Sequence, residues 1–250
     1  MQKRLMRRNI PRSPSYRFDA LLRLVQLTIE TDAIERLHAA IERQISASSR
    51  RIDRAKASGN HEYLDAIVDD ECDHIEELLG LAFVAAQTFI TRFRGRLAWA
   101  SAIVKDEFGA ELSFATLPKA YEVLAKGRAL PAGSAQSVVE VINAVANYWK
   151  HQEDWPTTEE PKSGRLITVW NVQSRSLRKN EKRTIEVVAS IGMKPGSTGN
   201  LRTAAEALGV TDYADLSPIR QELKVWADSL FEATRAELSQ RRASVTQVKV

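Results

Sequence analysis

The stretch Ser134–Trp155, SAQSVVEVINAVANYWKHQEDW, decides how the rest of the chain is read. At about 100° per residue, Val138, Val141, Ile142, Val145, Tyr148 and Trp149 fall on one side of a helix. Glu140, Asn143, Asn147 and His151 fall on the other. The spacing therefore predicts one amphipathic helix over the whole stretch, ending in a group of polar and aromatic residues. Asn147 and His151 are spaced to meet on its polar face. Solvation competes with chemistry there, because the wet side of any surface helix has the same pattern.

Upstream, Asp32 and Glu35 have capping-box spacing, and Ile34, Leu37, Ile41, Ile45 and Ile52 follow at helical intervals. A helix over residues 32–57 is expected, stopped at Ser58, Gly59 and Asn60. From Leu64 to Phe108 apolar residues recur every three or four positions, which predicts a second, very long helix. It would span roughly 65 Å if unbroken. Gly80 and Gly95 are places where it could bend or admit a close neighbour, and Gly109 should end it. The short connection between the two makes them antiparallel partners. Leu117–Lys126 reads as a short helix closed by Gly127. Residues 1–20 form a basic arm, and residues 21–30 fit strand and helix equally well.

Downstream, Pro156, Pro161 and Gly164 indicate an exposed loop, and Arg165–Val172 suits a single strand. Glu181–Ile191 and Leu201–Leu208 fit helices, with Gly209 closing the second. Between them Lys194–Asn200, KPGSTGN, is rich in turn residues. It lacks the Gly-Lys-Ser/Thr ending of a phosphate loop, so a structural turn is expected. Ser217 and Pro218 open a final helix, with Ile219, Leu223, Trp226, Leu230 and Leu238 on one face. Residues 243–250 should fray.

Composition narrows the functional classes. Hydrophobic residues make up 44% and charged residues 27% of the 250, an ordinary globular balance. Gly (11) and Pro (8) are scarce, which favours long helices. Cys72 is the only cysteine, so neither an intrachain disulfide nor a cysteine metal site can form, and a reducing cytoplasm fits best. The longest uncharged stretch, Leu78–Thr91, is too short to span a bilayer. Net charge is +4. Lys3, Arg4, Arg7, Arg8, Arg12 and Arg17 precede any acid and leave the remainder slightly acidic, so the arm could touch phosphates or simply be solvated.

Several groups invite a chemical reading. Asn147, Lys150 and His151 could position a phosphate and move a proton. Arg92 and Arg96 share a helix face that could bind phosphates or pair with surface acids, with Arg94 pointing elsewhere. Arg128, just before the central helix, could supply a further charge. Glu71 and His74 make a single Glu-x-x-His pair, whereas a di-iron bundle needs two such pairs, so no metal site is expected. Tyr148, Trp149 and Trp155 could stack on bases or anchor a helix end in the core.

Ala146-Asn147-Tyr148-Trp149-Lys150-His151, near the end of a bundle helix, resembles the HEPN family. That resemblance implies an all-helical, often dimeric fold. It also implies a place in bacterial toxin–antitoxin or phage-defence systems, where many members cleave RNA without metal. The family motif is an Arg, often followed by a polar residue such as Asn, with a His four to six residues after the Arg. Asn147 and His151 match the polar residue and the His, while Ala144, Val145 and Ala146 stand where the Arg should lie.

The expected fold is therefore mainly α, an antiparallel HEPN-like helical bundle over residues 21–155. A C-terminal helical extension over 156–250 packs on it, with room for one short strand pair. The expected function is non-catalytic binding of a protein or RNA partner in such a system, without cofactor. One alternative is a metal-independent ribonuclease with His151 as general acid/base and Asn147 and Lys150 on phosphate. Another is an immunity-type protein that neutralises a toxin. A homodimer is expected, because Phe89, Phe93, Leu97, Val104 and Phe108 continue beyond the reach of the first helix. His151 would then lie near the subunit boundary, unless the C-terminal helix covers that stripe within one chain.

Overall fold

The computed structural model describes residues 32–58, 63–108, 112, 123–130, 136–163 and 165–247. The N-terminal arm, residues 21–30 and most of Leu117–Lys126 lie outside this set. Six helices and one strand pair are described: α1 (Asp32–Ala57), α2 (Leu64–Phe108), α3 (Val138–Lys150), β1 (Thr157–Lys162), β2 (Arg165–Trp170), α4 (Lys179–Ser190), α5 (Asn200–Ala207) and α6 (Ser217–Gln247).

Helices α1 and α2 are antiparallel, as their short connection requires. His38 on α1 bonds the Ala82 carbonyl at 3.1 Å, and further along Arg51 pairs with Glu71, lower on α2. Ile34, Ile41 and Ile45 are buried as expected, but Leu37 faces outward at 48% exposure and His38 takes its place in the stripe. The contact geometry of α1 follows the spacing 34, 38, 41, 45, and a leucine at 37 is simply one position off that seam. Glu71, which the sequence placed on a solvated face with His74, is paired with Arg51.

Helix α2 runs unbroken for 45 residues. Its two interior glycines have different roles. A Cβ at Gly80 would overlap the indole of Trp149, so the missing side chain lets α3 approach closely. A Cβ at Gly95 would meet nothing within 4 Å. Phe89, Phe93, Leu97 and Val104 are all buried. Phe93 meets Trp226 of α6 edge-on with ring centroids 5.3 Å apart. The C-terminal helix thus meets the stripe within one chain at Phe93, and none of these four residues offers the uncovered surface expected to drive dimerisation.

Helix α3 is the centre of the molecule, packed against α2, α4, α5 and α6. It is shorter than expected. Ser137 caps its start, accepting the Glu140 N–H at 3.1 Å and donating to the Leu124 carbonyl at 2.6 Å. His151 closes its other end. Because helices cover it on several sides, Glu140 is only 4% exposed even though it lies on the nominally polar face. Arg183 of α4 compensates that buried carboxylate through two hydrogen bonds of 2.9 and 2.6 Å.

The expected loop after α3 is instead strand β1, which pairs antiparallel with β2 from Thr157↔Trp170 to Lys162↔Arg165. Pro161 is tolerated because β1 is an edge strand. Trp170 anchors the base of this hairpin, meeting Tyr148 edge-on at 5.9 Å. The remaining C-terminal elements follow the sequence with small shifts. Strand β2 stops at Trp170, α4 begins at Lys179 rather than Glu181, and α6 stays helical to Gln247 instead of fraying from 243. Ser217 is the first residue of α6, and its N–H donates to Asp215 at 2.9 Å. The Lys194–Asn200 turn is closed by Asn200, which accepts from the Lys194 N–H and donates to the Lys194 carbonyl. It is a structural turn, as expected. The buried residues of all these helices form one continuous hydrophobic cluster.

Candidate functional site

The candidate site lies where the C-terminal half of α3 crosses α2, and Gln87 of α2 holds it together. Lys150 donates to Gln87 Oε1 at 2.6 Å. Gln87 Nε2 donates to Asn147 Oδ1 at 2.8 Å, to Asn143 Oδ1 at 3.1 Å and to the Asn143 carbonyl at 3.2 Å. The orientation of all three amides follows from one fact: an ammonium can only donate. Lys150 must face the oxygen of Gln87, so Gln87 turns its NH2 toward α3. Asn143 and Asn147 must then present oxygens to it, and their own NH2 groups are turned away. Among the described residues neither NH2 group has an acceptor, and neither nitrogen is a buried orphan.

The expected trio is only partly assembled. Asn147 and Lys150 share Gln87, but His151 does not join them. It caps the end of α3 with φ −129° and ψ 22°, which takes it out of helical register. Its side chain is exposed and its Nδ1 lies 3.3 Å from Asp154. The neighbouring aromatics anchor the helix end instead of forming a stacking platform. Tyr148 and Trp155 are buried, and the Trp155 indole donates to the Tyr148 carbonyl at 3.2 Å. Trp149 is half-buried over Gly80.

The three expected phosphate-binding arginines are elsewhere. Arg128 is paired with Glu222 of α6 at 2.7 Å. Arg92 and Arg96 are exposed, and among the described residues neither has an acidic partner. By helical spacing they point away from Gln87. The arginine on the same face as Gln87 is Arg94, seven residues and about 10 Å along α2. Arg94 is half-buried without an acidic partner among the described residues, and burial pulls its guanidinium pKa below the ordinary value. Sequence reasoning missed Gln87 because a single glutamine in an apolar helix carries no signal of its own. It set Arg94 aside because Arg92 and Arg96 make the more obvious pair.

No family model, curated protein or solved structure matches the chain. The site is therefore read on its own chemistry. It is an array of N–H donors and positive charge: two amide NH2 groups, the remaining hydrogens of Lys150, and, two turns along the same face of α2, Arg94. Such an array suits an anion with several acceptor oxygens. Among the described residues no group of three His, Cys, Asp or Glu side chains could hold a metal ion, and no helix is long and apolar enough to cross a membrane.

Proposed function

We propose that this chain is a non-catalytic, HEPN-like binding protein of a bacterial toxin–antitoxin or phage-defence system, and that it holds RNA through phosphate. The observation that carries the reading is the donor array set by Lys150 and Gln87, which offers hydrogens and charge while its amide oxygens are already engaged within the array. The mainly helical bundle is compatible with the family resemblance. Binding is favoured over cleavage by the position of His151. A general acid/base must reach the reacting oxygen directly or through one water, and this imidazole is turned onto Asp154 beyond the helix end. The arginine that would hold the scissile phosphate is also absent from residues 144–146.

Fluorescence anisotropy with labelled single-stranded RNA in chelator, across a salt series, tests the reading. Binding should weaken with salt, and Lys150→Ala and Arg94→Ala should each reduce the slope of log K against log salt by about 0.7. The RNA should stay intact on a denaturing gel. Absence of binding at low salt, or a slope that both substitutions leave unchanged, would overturn it. Cleavage abolished by His151→Ala would establish the ribonuclease instead. An acidic protein co-purifying in place of RNA would support the immunity-type reading.

A further inference from the structure

The hairpin β1–β2 stands apart from the helical body. Every residue of β1 is exposed, as are Arg165, Leu166 and Thr168 of β2, with Leu166 at 68%. Only Trp170, at the base, is buried. A lone two-stranded ribbon is at best marginally stable in water, and three or more strands or a packed face are needed to support it. Among the described residues no helix supplies that support along its length.

The ladder shows which backbone groups remain open. Asn171 donates to the Pro156 carbonyl at 2.8 Å, so those two residues form a hydrogen-bonded pair. Antiparallel pairs alternate between hydrogen-bonded and non-hydrogen-bonded. Thr158↔Val169, Glu160↔Ile167 and Lys162↔Arg165 are therefore bonded to each other, whereas the backbone groups of Thr157, Glu159, Pro161, Leu166, Thr168 and Trp170 point outward. The two edges are not equivalent. On β1 the outward N–H of position 161 does not exist, because the residue is proline. On β2 the sequence RLITVW carries no proline and has high strand propensity. Its outward groups at Leu166 and Thr168 have no partner among the described residues.

We infer that β2 is the pairing edge for a second copy of this chain. The two β2 strands join antiparallel across a twofold axis at Ile167, making a four-stranded sheet with β1 at each outer edge. In this register Leu166 exchanges hydrogen bonds with Thr168 of the partner subunit, and Trp170 stays in its own body. Charge does not oppose self-pairing. Strand β2 holds no acid, and antiparallel alignment sends the two Arg165 side chains to opposite ends of the contact. Nucleic acid fits this edge poorly, since Glu159 and Glu160 on the same ribbon offset Lys162 and Arg165. The inference does not depend on the phosphate site, which lies on other elements.

Light scattering at micromolar concentration, after nuclease treatment, should give twice the chain mass of 28.0 kDa. Thr168→Pro removes an outward N–H without touching the β1–β2 ladder, so the protein should stay folded by circular dichroism and return to the mass of one chain. In a Cys72→Ser background, Ile167→Cys should crosslink on oxidation, because twofold-related residues of a non-hydrogen-bonded pair lie about 4.5 Å apart at Cα. A monomeric parent protein overturns the inference. So does a dimer that survives Thr168→Pro, one that fails to crosslink at position 167, or an association that nuclease abolishes.

Discussion

His38 and His151 sit on helices of similar amphipathic pattern but in opposite environments. His38 is fully buried between α1 and α2, bonded through Nε2 to the Ala82 carbonyl, and its Nδ1 has no partner among the described residues. Burial, with a smaller push from the Arg220 guanidinium, lowers its pKa from 6.5 to about 4, so it is neutral when folded. His151 lies past the last turn of α3, in solvent, beside Asp154. The regions are close in the fold, since Gly80 receives Trp149 from the end of α3 and Ala82 receives His38. What separates them is whether a second helix lies over the residue. A histidine on an apolar seam becomes a dry packing element, and one at a helix end becomes a wet cap.

The largest expected effect tests the boundary between the regions. Trp149→Ala should cost about 3–5 kcal/mol, toward the lower end because the ring is half-buried, and chemical denaturation should show it. A loss no larger than that of His151→Ala would mean that the end of α3 is wet throughout. Next comes the titration of His38. Its folded pKa is depressed, so between pH 6.5 and about 4 the unfolded chain binds the proton that the folded one refuses. The stability this group contributes is complete above pH 6.5 and is lost as pH falls toward 4, on the order of 3 kcal/mol in all. Melts of the parent protein and His38→Leu across that window should diverge, and parallel curves would show that the imidazole is solvated.

A smaller effect concerns the glycines of α2. Gly80→Ala should destabilise by about 1–3 kcal/mol, because the Trp149 ring must move. Gly95→Ala should stabilise by about 0.5–1 kcal/mol, because it adds helix propensity in open space. The opposite ranking in thermal melts would mean that α3 does not rest on Gly80. The smallest effect belongs to His151→Ala, which should stay within about 0.5 kcal/mol, as surface changes generally do. A larger loss would place His151 in the packed region with His38.

Much of the fold was legible in the sequence. Helical spacing located α1 and the full length of α2, and the faces of α5 and α6 followed from Gly209, Pro218 and the apolar positions behind them. Among the described residues the breaks at Gly209 and Pro218 fall where expected, whereas Pro156 and Pro161 suggested a loop and the chain instead paired Thr157–Lys162 with Arg165–Trp170. Proline at an edge position costs no ladder bond, so its presence could not exclude a strand.

The candidate site was less legible. Asn147 and Lys150 were picked out, but what joins them is Gln87, 60 and 63 residues away, and Arg94 follows Gln87 on the same helix face. Likewise Glu140 and His151 share a nominal face of α3, yet one meets Arg183 in a nearly dry interface and the other meets water. Periodicity by itself determined the helices and their apolar stripes, because these depend on neighbours three or four residues apart. Only the tertiary structure decided which polar groups are dry, which way the Gln87, Asn143 and Asn147 amides turn, and which backbone groups of the hairpin point outward. Each of those depends on a distant segment that covers the residue, or on none doing so.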